Sequence, residues 1–109
     1  MTAALDKLRM GVTLAVLKHR QRVARLSQAR VRAISAARHW QALETRAPRG
    51  GLLQTEMQLR RHHCEVKVYV ISWLMLGEGQ LARDCLKKAR RYLRDANELA
   101  ATQRKAGLR

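Results

Sequence analysis

Only two short stretches of this chain can stop a helix. The first is Ala-Pro-Arg-Gly-Gly at 47–51, where Pro48 pushes Ala47 toward extended backbone and Gly50-Gly51 loosens the chain. The second is Gly-Glu-Gly at 77–79. The segment before the first break is built from Ala, Leu, Arg and Gln, all strong helix formers. Its apolar residues Leu5, Leu8, Val12, Val16, Val23, Leu26, Ile34 and Ala37 return to one face at 100° per residue. This spacing predicts a single long helix over 3–46, with Gly11 as its weak point. After the second break, Leu81, Cys85, Ala89, Tyr92, Ala96 and Leu99 follow the three-and-four spacing of a buried seam, which predicts a helix over 80–105.

The middle segment, 52–76, is harder to read. Glu65 to Trp73, EVKVYVISW, is rich in β-branched and aromatic residues and alternates as a strand does. A lone strand among helices would need a partner from another chain. Leu53, Met57, Cys64, Val68, Ile71 and Met75 also fit one helical face, and helix is expected throughout. The expected fold is therefore all-α: one domain, a long N-terminal helix packed with a C-terminal antiparallel helical hairpin, as a three-helix bundle. A chain of 109 residues buries only a thin core.

Charge carries most of the functional information. Lys and Arg number 23 against 8 Asp and Glu, a net charge of +15 at pH 7. Between Asp6 and Glu44 there is no acid at all, while nine basic residues run from Lys7 to Arg38. Solubility is ordinarily met with mixed signs, so this acid-free run points to an anionic partner. On the first helix Lys18, Arg22, Arg25 and Arg32 form a basic rail beside the apolar face, and Arg9, Arg20 and Arg38 lie on the other flank. His19 and Arg30 interrupt the apolar face itself, as expected where the face drifts along a long helix. On the last helix Arg83, Lys87, Arg90, Arg91 and Arg94 face away from the seam. Asp84–Lys88, Arg91–Asp95 and Arg94–Glu98 are spaced for i,i+4 pairs, which would answer part of that charge locally.

Arg outnumbers Lys, and its planar fork grips phosphate with two hydrogen bonds. Aromatic residues are few and Phe is absent, so base stacking is a poor basis for binding. These features lead to a helical nucleic-acid-binding protein, of RNA or DNA, that contacts backbone without reading sequence. It would serve as a subunit of a ribonucleoprotein or other nucleoprotein complex, on the plan of the small helical subunits of CRISPR effectors, an analogy of size, charge and helicity alone. Leftover apolar faces would meet other protein subunits or a second copy. The alternative is a helical adaptor or chaperone, such as a secretion or conjugation accessory, that meets an acidic protein partner.

Several other classes find little support. Arg60 to Glu65, RRHHCE, gathers His62, His63 and Cys64, but adjacent histidines point about 100° apart on a helix and do not converge on a metal. Eight scattered carboxylates, no phosphate-cradling Gly loop and two cysteines without a paired histidine give no catalytic signature, so neither an enzyme nor a cofactor is expected. Cys64 and Cys85 make no disulfide framework, which favours a reduced, cytoplasmic setting. Val68 to Leu76 is too short to span a bilayer. Met10 to Leu17 lacks a cleavage site for a signal peptide, and the acid-poor N-terminus has little of the Ser of a mitochondrial address. Trp73, Leu76 and Gly77 match the opening of a tetratricopeptide unit, but the later positions do not follow.

Overall fold

The computed structural model describes residues 2–106, and they form three helices: α1 (Thr2–Arg46), α2 (Leu52–Leu76) and α3 (Gln80–Lys105). The expected all-α fold is thus observed, and the β-rich middle stretch is helical from end to end. Its β-branched and aromatic residues find contacts on both sides of α2: Val68 is buried, and Tyr69 stacks on Tyr92 of α3. Tertiary packing here overrides local strand preference.

The breaks do the work their composition implies. Gly77 adopts φ +75 and Gly79 φ +102, backbone that L side chains avoid, so three residues suffice to reverse the chain. The Gly77 N–H closes α2 by donating to the Trp73 carbonyl at 3.0 Å. The first break is longer, and the Gly50 N–H donates to the Gln54 side-chain oxygen at 2.8 Å.

α2 is the centre of the molecule. It packs against α1 on one side and α3 on the other, and among the described residues α1 and α3 do not approach each other closely. Two contacts show that α1 and α2 run antiparallel. Arg61 Nε donates to Glu44 Oε2 at 2.7 Å, and Arg30 Nε donates to Ser72 Oγ at 2.8 Å. The three helices therefore pack in the order α1–α2–α3, with principal extents of 72 × 25 × 22 Å. The long dimension is that of α1, whose 45 residues span about 67 Å.

The core lies on small side chains. Its buried apolar residues are Ala33, Ala37, Leu59, Val68, Ala82, Ala89 and Ala96. On α3 the buried positions Ala82, Ala89, Ala96 and Gln103 recur every seven residues, the period of a coiled-coil seam. On α1 the half-buried Leu26 and Trp40 and the buried Ala33 repeat in the same way. Two expectations about faces are corrected. Leu81, assigned to the α3 seam, is 68% exposed, and its neighbour Ala82 packs instead. On α1 every residue from 2 to 22 is exposed and burial begins only at Val23, so Leu5, Leu8, Val12 and Val16 lie outside any core. On α3 size misled, since backbones approach closely where Ala allows it and the larger Leu81 stands aside. On α1 length did, since the 25 residues of α2 cannot cover the 45 of α1.

Candidate nucleic-acid interface

The four-three-four spacing of Arg83, Lys87, Arg90 and Arg94 puts them in one column along α3, within about 40° of each other's mean direction. All four are exposed, as is Arg91 at the column's edge. The column runs about 16 Å by the helical rise. It stands on the side of α3 away from Ala82, Ala89 and Ala96, the residues that meet α2.

The local pairing expected on this helix does not form. Asp84–Lys88, Arg91–Asp95 and Arg94–Glu98 are absent among the described ion pairs, which are Glu56–Arg60 and Glu44–Arg61. Asp84 accepts from the Gln80 side-chain nitrogen at 2.7 Å, and Lys88 lies 5.4 Å from the centre of the Tyr69 ring. Arg83 likewise meets a neutral acceptor and no carboxylate, donating to the Gln80 side-chain oxygen at 3.1 Å. The column's charge is thus more open to an outside anion than its spacing suggests.

On α1, Lys18, Arg22, Arg25 and Arg32 are likewise all exposed. They form a flank beside the α2-facing residues, with Arg32 Nε turned back to the Gln28 carbonyl at 3.5 Å. The two rails are not brought together. They belong to α1 and α3, and α2 stands between those helices. The nine residues make two strips on separate helices, and a single strand of nucleic acid would have to cross α2 to meet both.

Three other arginines serve the fold. Arg30 reaches the rim of the α1–α2 contact and donates to Ser72, whose hydroxyl donates in turn to the Val68 carbonyl at 2.7 Å. Arg61 pairs with Glu44, both side chains being about one-fifth exposed. Arg60 lies 4.8 Å from the centre of the Trp40 ring, a cation–π contact across the same helix pair. The position of Arg30 inside an apolar stripe foreshadows its role. Nothing in the sequence around Arg60 or Arg61 distinguishes them from the exposed arginines, because their partners lie across a helix pair.

The cluster RRHHC divides as helix geometry requires. His62 turns into the α2–α3 seam against Tyr92, with ring centres 5.6 Å apart, and His63 faces outward. Burial pushes the His62 pKa below its usual value, and the neighbouring Arg61 charge adds to that. Burial likewise raises the Cys64 thiol and the Tyr92 hydroxyl above their ordinary values. Cys64 and Cys85 are both free. The His62–Tyr92 contact sets Cys64 at the level of Tyr92, about 10 Å along α3 from Cys85. Among the described residues no three His, Cys, Asp or Glu side chains gather as metal ligands, and no helix is long and apolar enough to cross a membrane.

Comparison of the chain with protein-family models, with curated proteins and with solved structures gives no match.

Proposed function

We propose that this protein binds nucleic-acid backbone without sequence preference, as a basic helical subunit of a nucleoprotein complex. The observation that carries this reading is the α3 column: Arg83, Lys87, Arg90 and Arg94 aligned, exposed and without carboxylate partners. An Arg column on a rigid helix offers bidentate phosphate contacts at regular intervals. The α1 rail of Lys18, Arg22, Arg25 and Arg32 adds a second strip, which suits a nucleic acid that wraps or two that are held together. Few exposed rings accompany either strip, so contact is with phosphate and not with bases.

Each phosphate contact releases counterion, so affinity falls steeply with salt. With four to six contacts to a single strand, a fourfold rise in salt should weaken binding roughly a hundredfold. Fluorescence anisotropy with unrelated single- and double-stranded oligonucleotides tests this. We expect similar affinities for all sequences of one strandedness. Arg90→Gln and Arg94→Gln should each lower the slope of log K against log [salt] by about 0.7 on single strands. Absence of binding at low salt would sink the proposal.

A further inference from the structure

The first half of α1 carries an apolar surface that the other described residues leave uncovered. Every residue from 2 to 22 is exposed. Leu5, Leu8, Val12 and Val16 make one ridge, and Met10, Leu14 and Leu17 make a second. At 100° per residue the two ridges are centred about 160° apart, nearly on opposite sides of the helix. A helix apolar on two opposite sides belongs inside a larger packed structure. Basic charge lies at both ends of this collar, Lys7 and Arg9 within its first turns and Lys18, Arg20 and Arg22 just after it, and Asp6 is the sole acid in the region.

Geometry and charge together select the occupant. A membrane surface takes a helix with one apolar and one polar side, so one of these ridges would stay wet, and the collar has no Trp or Phe to anchor it. A second copy of the chain would set basic ends against basic ends in either orientation, with only Asp6 to answer them. Nucleic acid has no use for Leu and Val ridges. An acidic helical protein satisfies both the apolar and the charged parts. We propose that residues 5–17 are the docking surface for such a partner. It grips the two ridges with two helices and sets carboxylates against Lys18, Arg20 and Arg22. The proposal rests on the subunit part of the reading above and not on phosphate contact.

The test places a benzophenone amino acid at position 12 or at position 14, one on each ridge, in the full chain in the cells that make it. After irradiation the cross-linked peptides are identified by mass spectrometry. The expected result is one and the same protein captured from both positions, through peptides with more Asp and Glu than Lys and Arg. Leu17→Asp should reduce capture at position 12 about tenfold, the scale of losing one interface anchor. Leu17 is exposed, so the α1–α2 packing should be kept, but Asp is a weaker helix former than Leu and will loosen the local helix. Leu17→Gln removes the anchor at matched helix propensity and should reduce capture in the same way with helix content unchanged. Arg90→Gln with Arg94→Gln should leave capture intact, which separates failure of this docking site from failure of phosphate binding. Capture of this same chain, of lipid, of nucleic acid, of a basic segment or of different proteins at the two positions would overturn the proposal, as would no product at all.

Discussion

His62 is where a single side chain ties stability to pH. It is buried against Tyr92, and its Nδ1 has no hydrogen-bond partner. Arg61 and His63 oppose its protonation, while Asp95 and Glu44 favour it less strongly than burial disfavours it. Its folded pKa therefore lies below the ordinary 6.5, and the unfolded chain takes up the proton first as pH falls. Stability conferred by the neutral ring is full above about pH 7 and declines as pH drops below 6.5 toward the folded pKa. Melting curves should show a midpoint that is flat at neutral pH and falls on mild acidification. His62→Gln should flatten that decline even if it lowers the midpoint everywhere. A pH dependence unchanged in the variant would assign the effect to another group. None of this could be read from the adjacency of His62 and His63, because the burial of one and the exposure of the other depend on which side of α2 meets α3.

Whole helices divide into packed and free parts, and α1 contains both. Burial begins at Val23, and before that every described residue is exposed, without tertiary support from the other described residues. Helices of this kind derive most of their stability from packing, so the first half should fray ahead of the second. Backbone amides of residues 5–20 should exchange with solvent orders of magnitude faster than those of residues 30–43. Gly11 sits in open space in this free half. Gly11→Ala should stabilise the local helix by about 0.5–1 kcal/mol and slow exchange around it, with the global melting point nearly unmoved. A large shift in the global melting point would mean that the free half belongs to the cooperative core.

The helix boundaries were legible in the sequence almost to the residue, because Pro48, Gly77 and Gly79 leave few alternatives. The faces were less so. Apolar periodicity ranks Leu and Val above Ala, yet the seams run on Ala33, Ala37, Ala82, Ala89 and Ala96. Alanine is equally at home on a helix surface and in a close crossing, and only the approach of the second helix decides between them. The basic rails were legible as directions on each helix. Their separation by α2 was not, since it depends on the order of packing.

At the scale of the molecule, charge and shape act together. The radius of gyration is 20.3 Å, against about 13 Å for a compact domain of this length. An extended outline spreads the net charge of +15 and reduces self-repulsion, though it does not remove it. Added salt should therefore raise the melting temperature of the free protein while weakening the nucleic-acid binding proposed for it. These opposite trends can be followed in one buffer series by circular dichroism and anisotropy. A melting temperature that fell with salt would show that attractive pairs outweigh the repulsion.

The unbroken run of α1 from the collar into the α2 contact has one more consequence. A continuous helix fixes rotation as firmly as distance, so whatever is held at residues 5–17 is clocked relative to the α2 and α3 side of the molecule. Inserting two residues near position 20 would lengthen the arm by about 3 Å but swing the collar through roughly 200°. Inserting seven would lengthen it by about 10 Å and turn it only about 20°. On the proposed reading the protein would set an angular offset between its helical partner and its nucleic acid, and a full seven-residue change would be borne far better than a two-residue one.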